Sequence, residues 1–184
     1  MDITLETLKR RIKGQRVIKD LLDCHFNGNV YLVGGAIREL YLNNAPKDYD
    51  LALSDQDDLI RIEHLFGKGV FVLGKKPFQT YRLTKKDISI DITFLDDTIE
   101  NDLFRRDFTI NAIAFDLRNN VFIDPLNGLD DIKNRLIVYP SKTSLTDDPL
   151  RMLKAIRHFS NLKDFKIHSK LIDSIKELKH LIVK

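Results

Sequence analysis

Two aspartates, Asp48 and Asp50, lie two residues apart in a stretch that alternates polar and apolar side chains, Asp48-Tyr49-Asp50-Leu51-Ala52-Leu53. A period of two is typical of a half-buried strand, so both carboxylates lie on one face and Tyr49, Leu51 and Leu53 on the other. Two carboxylates about 4 Å apart repel each other by roughly 4 kcal/mol at an effective dielectric constant of 20. A bound cation or a shared proton relieves that repulsion, so the pair indicates a candidate metal site.

A third aspartate, Asp91, lies on the polar face of another alternating segment, residues 88–95, whose apolar face includes Ile90 and Ile92. A third carboxylate from a neighbouring strand is what a two-metal site requires. Taken by itself, however, the local pattern around Asp91 favours a solvent-facing structural aspartate over a ligand.

Paired glycines, Gly34-Gly35, follow the short apolar run Val30–Val33 and precede a helical pattern over 36–42. A strand that ends in glycines at the start of a helix leaves backbone N–H groups exposed around one point, which is how phosphates are held. Together with the aspartate pair, this pattern favours magnesium-dependent chemistry on a nucleoside triphosphate. The structural alternative is a tight turn followed by a strand with two solvated acids, and short motifs alone leave both open.

Two further segments carry charged residues suited to binding an anion or a base. Arg105 and Arg106, with Asp107 and Asn111 close behind, could fork onto the oxygens of a triphosphate, although adjacent surface arginines are commonly just solvated. The run 147–149, Asp-Asp-Pro, opens a helical pattern in which Arg151 lies one turn after Asp147.

Composition bounds the class of protein. The chain has 184 residues, 43% hydrophobic and 31% charged, which is typical of a globular protein with one domain, or one domain and a small helical annex. The net charge of +3 permits an anionic partner. The single cysteine, Cys24, excludes an internal disulfide and fits the reducing cytoplasm, where we expect the protein to be located. No apolar run approaches the 18 residues of a membrane span, and no signal peptide is expected.

The remaining patterns predict the elements that must position these residues. A helix is predicted over 4–26, with Thr4 as its N-cap and Gly14 weakening its continuity. Residues 136–138 are predicted to return to the sheet, and Leu150, Leu153, Ala155, Ile156 and Phe159 to pack in the interior. The other predicted elements are a helix over 57–66, strands at 70–73 and 79–83, a turn at 74–77, a hairpin of 112–116 with 121–123, a short helix at 129–135 and a last helix over 168–182.

Four segments together resemble one family. LVGGAIRELYL…DYDLAL, RRDFTINAIAFD, IDPLNGLDDIKNRLI and DDPLRMLKAIRHF occur in the order of the class II tRNA nucleotidyltransferase and bacterial poly(A) polymerase family, over roughly residues 28–160. The resemblance implies an α+β fold: a polymerase-beta-like nucleotidyltransferase head, with a mixed sheet flanked by helices, over 1–139, followed by an all-helical neck over 140–184. It further implies a transferase that adds C and/or A from CTP and ATP to the 3′ end of tRNA or another RNA, with release of pyrophosphate. No membrane and no obligate protein partner are expected.

The same resemblance implies roles for individual residues. Two Mg²⁺ ions would be held by Asp48, Asp50 and Asp91, which are therefore the predicted catalytic and metal-binding residues. Nucleotide binding would use one set of residues for phosphates and ribose and another for the base. The first set is Gly34, Gly35, Arg38, Arg105, Arg106, Asp107 and Asn111. The second set is Asp148 and Arg151, which would read the Watson–Crick edge of the incoming base in place of a template.

The chain also departs from the family pattern. It has Glu39 where the family usually has Asp, and Asp147-Asp148 where the family usually has Glu-Asp. The segment between Asp91 and Asp102 is shorter than in many CCA-adding members. In this short segment the chain resembles CC-adding and some A-adding members. GKKPF, residues 74–78, weakly resembles a poly(A) polymerase signature. The helical body and tail domains of the family do not follow within these residues, which fits either a fragment or a minimal natural form.

Three functions therefore remain open from the sequence. The first is tRNA 3′-terminal addition of C, A or CCA, and the second is poly(A) synthesis or another nucleotidyl transfer, including transfer to a small molecule. The third is a catalytic-head fragment or nucleotide-binding module with little activity alone. The five histidines show no ligand spacing with Cys24, so no zinc site is predicted.

Overall fold

The computed structural model describes residues 3–67, 69–74, 79–85 and 88–183. The chain forms two compact units. The first comprises Met1–Ile99 and Ala114–Ile123, and the second comprises Glu100–Ile113 and Asp124–Lys184. Most of the predicted turn at 74–77, and most of the GKKPF segment, lies outside the described residues. The division into a catalytic head and a neck after residue 139 is a functional one and stays a prediction.

The first unit contains a mixed sheet of seven strands among the described residues, in the order β3-β4-β5-β2-β1-β6-β7. Strands β2 and β5 pair in parallel and the other neighbours are antiparallel. The mixed sheet and the α+β class are as predicted. The strands are β1 Val30–Val33, β2 Asp48–Leu53, β3 Phe71–Leu73, β4 Thr80–Lys85, β5 Ile88–Phe94, β6 Ala114–Asp116 and β7 Val121–Ile123.

Four helices in the described part of the first unit flank this sheet: α1 Leu5–Gly14, α2 Arg16–Leu22, α3 Gly35–Tyr41 and α4 Asp58–Phe66. Thr4 caps α1 as predicted, and its side chain accepts a hydrogen bond from the Thr7 N–H across 3.2 Å. The single helix predicted over 4–26 is wrong, because Gln15 adopts an extended conformation directly after Gly14 and separates α1 from α2.

The centre of the sheet is the core of the first unit. All four residues of β1 are buried, and in β2 Tyr49, Leu51 and Leu53 are at most 3% exposed. The turn before β1 is held by Asp58, whose carboxylate is fully buried and accepts the N–H groups of Asn27 and Gly28 at 2.9 and 2.8 Å. The strand that leads into the paired glycines is therefore anchored at its start.

The second unit is mainly helical. The predicted return of residues 136–138 to the main sheet is wrong: strand β8, Leu136–Ile137, pairs in parallel with strand β9, Lys166–Ile167, in a separate two-stranded sheet. Its elements are α5 Ile99–Phe104, a 3-10 turn Thr109–Asn111, α6 Gly128–Lys133, β8 Leu136–Ile137, α7 Thr143–Asp147, α8 Leu150–Asn161, β9 Lys166–Ile167, α9 Ser169–Leu178 and a 3-10 turn Lys179–Val183.

Helix α8 buries a narrower face than its sequence predicted. Met152 and Ala155 are buried, whereas the apolar residues spaced by three along the opposite side are about half exposed. The exposed residues are Leu150, Leu153, Ile156 and Phe159. Their predicted interior packing is therefore wrong for this structure. Within the described ranges, no helix combines the length and apolar character needed to cross a bilayer.

Candidate functional site

The aspartate pair lies on β2 as the alternation predicts. Asp48 is exposed and Asp50 half-buried, while Tyr49 between them points into the core. The Tyr49 hydroxyl donates to Oε1 of Gln15 across 3.1 Å, and burial raises the pKa of Tyr49. Because Tyr49 is fixed from the opposite face, the strand cannot rotate, and both carboxylates stay on the polar face.

Asp91 lies on the strand beside this pair. In the parallel pairing of β2 with β5, Asp50 is directly opposite Asp91, and Asp48 is opposite Ser89. Residues paired in this way present their side chains on the same face of a sheet, with neighbouring strands about 4.8 Å apart. The tertiary structure therefore places Asp48, Asp50 and Asp91 together, which the sequence alone could only suggest.

Arg82 joins the same face and was not among the predicted residues. It is directly opposite Asp91 in the antiparallel pairing of β4 with β5. Its Nε and Nη2 donate to the two carboxylate oxygens of Asp91 at 2.7 and 2.6 Å. This hydrogen bond, together with the charges of Asp91, Asp48 and Asp50, raises the pKa of Arg82. The alternation in residues 80–84 would have placed Arg82 on a polar face, but only the strand register shows which acid it contacts.

The carboxylates of this face fit Mg²⁺ in their chemistry, because that ion prefers hard oxygen ligands and is commonly held by one or two carboxylates together with substrate phosphates. Within the described parts of the chain, no three acidic, histidine or cysteine side chains form a ready-made metal cage. The bidentate pairing of Asp91 with Arg82 explains why no such cage forms among the described residues, because it directs the Asp91 carboxylate toward a guanidinium. Asp48 and Asp50 on β2 and Asp91 on β5 are the residues that could hold the metal.

The paired glycines connect β1 to α3. Gly34 has φ of 77° and ψ of −146°, a conformation that only glycine adopts readily. A Cβ added at Gly35 would lie 3.3 Å from Nη2 of Arg38. Arg38 is buried, and its Nη2 donates to Oε1 of Glu39 at 2.9 Å, while Oε2 of Glu39 accepts from Asn44 at 2.9 Å. Glu39, which departs from the family pattern, thus orients the predicted phosphate-binding arginine.

In the second unit, Asp102 holds the two adjacent arginines. Oδ1 accepts from Nη2 of Arg105 at 2.8 Å and Oδ2 from Nη2 of Arg106 at 2.9 Å. Burial by itself raises the pKa of Asp102, but the charges and hydrogen bonds of Arg106 and Arg105 outweigh it and hold that pKa below its ordinary value. Asp102 was not a predicted site residue; the spacing of three and four residues along a helix is the signal that would have found it.

Asp107 and Asn111 bracket a single 3-10 turn. Oδ1 of Asp107 accepts from the Phe108 N–H at 2.8 Å and from Nδ2 of Asn111 at 2.9 Å. Nδ2 of Asn111 also lies 3.4 Å from Nε2 of His158, whose ring packs edge-on against Phe108. Asp107 therefore fixes the rotamer of Asn111, and His158 packs beside it.

A second anchor fixes the same turn from α6. The Thr109 hydroxyl donates to Oδ2 of Asp131 at 2.6 Å, and the Thr109 N–H donates to the carbonyl of Val138 at 2.9 Å. A Cβ added at Gly128 would clash with the Thr109 carbonyl oxygen. Asp124 caps α6 by accepting the N–H groups of Gly128 and Leu129, and burial raises the pKa of Asp124 and of Asp131. None of these supporting residues was predicted from the sequence.

The predicted base-reading residues lie at the start of α8. Oδ1 of Asp148 accepts the Leu150 N–H at 3.1 Å, and its Oδ2 lies 3.7 Å from Nε of Arg151 and 3.5 Å from Nζ of Lys154. The terminal nitrogens of Arg151 donate to main-chain carbonyls, with Nη2 to Arg105 at 2.8 Å and Nη1 to Arg106 and Ser144 at 3.3 Å. In this conformation Arg151 supports the arginine pair as well as Asp148.

The predicted site residues thus fall into two groups, one in each unit. The first unit brings together Asp48, Asp50 and Asp91, and it carries the turn with Gly34, Gly35 and Arg38. The second unit brings together Arg105, Arg106 and Arg151, links Asp107 to Asn111, and places Asp148 beside Arg151.

The first unit carries a mixed sheet with three carboxylates on one face and a glycine turn, which are features typical of a nucleotidyltransferase. The second unit carries two arginines held by Asp102. The sequence profile of the poly A polymerase head domain matches residues 30–96 and 77–138. The chain belongs to this family.

Curated relatives agree with this assignment. The chain is 35% identical over 152 residues to a CC-adding tRNA nucleotidyltransferase of Halalkalibacterium halodurans, over 82% of this chain and 39% of the relative. It is 36% identical over 162 residues to a CCA-adding enzyme of Francisella tularensis subsp. tularensis, over 80% of this chain and 44% of the relative. The chain therefore spans less than half the length of these relatives.

Solved structures share the fold. A CCA-adding enzyme in complex with CTP aligns with a TM-score of 0.78 and 30% identity, over 97% of this chain and 47% of that one. The Thermotoga maritima CCA-adding enzyme, complexed with tRNA-CCA, aligns with a TM-score of 0.70 and 30% identity, over 94% of this chain and 42% of that one.

Proposed function

We propose that this chain is the nucleotide-transferring part of a template-independent RNA nucleotidyltransferase that adds C and/or A to the 3′ end of tRNA from CTP and ATP. The observation that carries the proposal is the parallel pairing that sets Asp50 of β2 opposite Asp91 of β5, with Asp48 two residues along the same strand. Three carboxylates on the same face of two paired strands, beside a glycine-ended strand, are suited to phosphoryl transfer, and membership of the family supports that chemistry.

In this proposal Asp48, Asp50 and Asp91 hold two Mg²⁺ ions. When bound, Mg²⁺ would lower the pKa of the RNA 3′-hydroxyl and neutralise the charge that develops on the leaving pyrophosphate. The protein itself contributes position and rigidity. Tyr49, held by Gln15, keeps both β2 carboxylates on the polar face, so Asp48 and Asp50 need little rearrangement when the cations arrive.

The phosphates are assigned to two groups of donors. The backbone at Gly34 and Gly35 and the guanidinium of Arg38 would contact triphosphate oxygens in the first unit. In the second unit Arg105 and Arg106 would do so, because Asp102 already holds them in a fixed orientation. Pre-orientation reduces the side-chain entropy lost on binding.

Ribose and base are assigned to the second unit. Asp107 fixes the amide of Asn111, which would hydrogen-bond the ribose hydroxyls. Asp148 offers a carboxylate acceptor and Arg151 guanidinium donors, the combination needed to pair with the Watson–Crick edge of C or A. Reading the base with protein groups removes the need for a template strand.

Within this proposal, which covers addition of C, of A or of both, we favour addition of C alone. Only residues 95–98 connect the end of β5 at Phe94 to the start of α5 at Ile99. A connection of this length leaves little chain to rearrange between two different nucleotides, which suits a product of one base type. A CC-adding tRNA nucleotidyltransferase is among the similar proteins.

The test is nucleotide incorporation by the purified chain with Mg²⁺. The substrates are tRNA ending before CCA, ending in C and ending in CC, with CTP and ATP supplied separately. Incorporation of C alone into the first two tRNAs supports a CC-adding product, and A added only to the CC end supports A addition. Long A tails on unrelated RNA indicate a poly(A) polymerase instead.

A binding measurement distinguishes a nucleotide-binding unit that is inactive alone from a chain that is not a nucleotidyltransferase. Titration with CTP and ATP, with Mg²⁺ and with excess EDTA, reports nucleotide binding without turnover. Metal-dependent binding without incorporation would show a nucleotide-binding unit that lacks RNA contacts, since phosphate contacts supply much of the affinity for RNA. If the chain neither binds nucleotide nor incorporates it, the proposal is contradicted.

A further inference from the structure

Arg82 ends a row of charged side chains that crosses three neighbouring strands. Arg82 of β4 is directly opposite Asp91 of β5, and Asp91 is directly opposite Asp50 of β2. Directly opposite residues share a face of the sheet, so one positive and two negative side chains lie side by side, with Asp48 two residues along. The guanidinium is therefore part of the acidic face rather than an isolated surface charge.

The Arg82–Asp91 contact is a two-pronged ion pair. Its two N–O distances are 2.7 and 2.6 Å, one to each carboxylate oxygen, and its side chains are 44% and 22% exposed. The fork of an arginine matches a carboxylate in this way, and it fixes the orientation of both groups. Asp48 and Asp50 lie on the same face and carry the same negative charge, so they add to the attraction on Arg82.

This pairing opposes a cation at Asp91. Each carboxylate oxygen keeps a second lone pair, but a metal ion bound there would lie within a few ångströms of the guanidinium charge. A cation can gain Asp91 as a full ligand only if Arg82 moves away or if the binding energy exceeds the repulsion between the cation and the guanidinium. Arg82 and a divalent cation therefore compete for the same carboxylate.

We propose that Arg82 is a positioning residue that acts through Asp91 and sets the affinity of the acidic face for divalent cations. The inference rests on the proposed function, since it assumes that Asp48, Asp50 and Asp91 hold the metal. Arg82 keeps Asp91 oriented and neutralised in the nucleotide-free protein, so free divalent ions bind weakly there. A cation that arrives with a nucleotide brings phosphate oxygens, which attract the guanidinium and release Asp91.

The experiment is a Mn²⁺ titration of the nucleotide-free protein, followed by the loss of the free-ion signal in electron paramagnetic resonance. Removing the competing charge by Arg82→Gln should tighten Mn²⁺ binding by roughly tenfold, the size expected for one charge within about 5 Å. Arg82→Lys keeps the charge but loses the fork, so its dissociation constant should lie between the two. Unchanged or weaker Mn²⁺ binding by Arg82→Gln would overturn the inference.

Two matched variants test the route of the effect. Arg10→Gln removes one positive charge from the exposed side of α1, where Arg10 contacts Thr7, and should leave Mn²⁺ binding unchanged. In an Asp91→Asn background, Arg82→Gln should have a much smaller effect, because the carboxylate through which Arg82 mainly acts is gone and only its weaker, more distant repulsion of a cation at Asp48 and Asp50 remains. A tenfold effect that persists in that background would contradict the proposed route.

The same titration distinguishes failure of the inference about Arg82 from failure of the metal assignment itself. If Mn²⁺ binding is lost in Asp48→Asn and Asp50→Asn but does not respond to Arg82→Gln, this inference fails while the metal assignment stands. If Mn²⁺ binding is absent both in wild type and in Arg82→Gln, or is unaffected by Asp48→Asn and Asp50→Asn, both the metal assignment and this inference fail.

Discussion

The guanidinium of Arg151 donates from Nη2 to the main-chain carbonyl oxygen of Arg105 across 2.8 Å. Its Nη1 lies 3.3 Å from the carbonyls of Arg106 and Ser144. The start of α8 is thus tied to the backbone of the arginine pair that Asp102 clamps. In the second unit, the residue assigned to the base and those assigned to the phosphates are mechanically linked, so a change at one should be felt at the other.

Arg151→Ala should therefore weaken binding of both nucleotides rather than one. It removes a base contact and also the support of Arg105, and we expect KM for CTP and for ATP to rise by about tenfold or more. Arg151→Lys should recover little, since an ammonium cannot bond three carbonyls in a fixed plane. Steady-state kinetics on tRNA ends check this.

The control for Arg151 is Lys154→Met on the same helix. Lys154 contacts Asp148 at 3.5 Å through a partly exposed ion pair, so its loss should change KM by less than about twofold. An Arg151→Ala protein with normal KM for both nucleotides would contradict the assigned role.

Asp148→Ala should relax the choice of base. A bidentate contact to a base edge discriminates by about 1–3 kcal/mol, so the ratio of kcat/KM for the preferred nucleotide over UTP should fall roughly 5- to 150-fold. Asp147→Ala serves as the neighbouring control, because Asp147 is exposed at the end of α7. Unaltered selectivity in Asp148→Ala would remove this residue from base recognition.

Asp50→Ala should fold normally but be inactive. The side chain lies on the half-exposed polar face of β2, so its removal leaves the core unchanged, while phosphoryl transfer loses a cation ligand. Incorporation should fall by roughly 10³-fold or more, the range seen when one charge-stabilising group is lost in such reactions. Asp57→Asn, an exposed acid in the same unit, should retain activity. Circular dichroism checks folding, and normal turnover by Asp50→Ala would contradict the assignment.

Asp102 should make stability depend on pH. Its pKa is lowered in the folded protein from an ordinary value of 3.8, so the unfolded chain binds the proton more readily. The stability that it contributes is present above about pH 4 and is lost as the pH falls through its folded-state pKa. Urea unfolding of wild type and Asp102→Asn at several pH values measures this contribution.

At neutral pH we expect Asp102→Asn to lose about 1–3 kcal/mol of unfolding free energy, since the acid is 7% exposed but Arg105 is 42% exposed and partly screened. The difference between the two proteins should shrink as the pH drops below about 4. A difference that stays constant with pH would show that the carboxylate charge does not contribute.

Two glycines make a matched pair of substitutions. Gly128→Ala should cost about 1–3 kcal/mol or displace the turn that carries Asn111, because the added Cβ meets the Thr109 carbonyl oxygen. Gly14→Ala, where nothing lies within 4 Å of the added Cβ, should be neutral or stabilise α1 by up to about 1 kcal/mol. Thermal unfolding of both variants checks the contrast, and equal melting temperatures would contradict it.

Local patterns predicted much of the fold. Alternation of side chains located β2 and β5, and the apolar run with two glycines located β1 and the start of α3. The hairpin of β6 with β7 and helices α4, α6 and α9 also lie close to their predicted positions. These features depend on neighbours within a few residues, so a single segment carries the information.

Other predictions failed where the outcome depends on packing. Residues 136–138 have the composition of a sheet strand, but their partner is β9, and the choice between two possible partners is not written in the strand itself. Leu150, Leu153, Ile156 and Phe159 have the spacing of a buried face, yet α8 buries its other side around Met152 and Ala155. An amphipathic pattern shows which residues could be covered and does not show what covers them.

The sequence by itself determined the chemistry available to this protein: a pair of acids two residues apart on a strand, a glycine turn suited to phosphate, and the motifs that identify the family. Only the tertiary structure decided which groups meet. Strand register placed Asp91 between Asp50 and Arg82, and helix packing turned Arg151 toward the Arg105 carbonyl. The physical reason is that side-chain alternation is local, whereas register and packing are set by contacts between segments tens of residues apart in the chain.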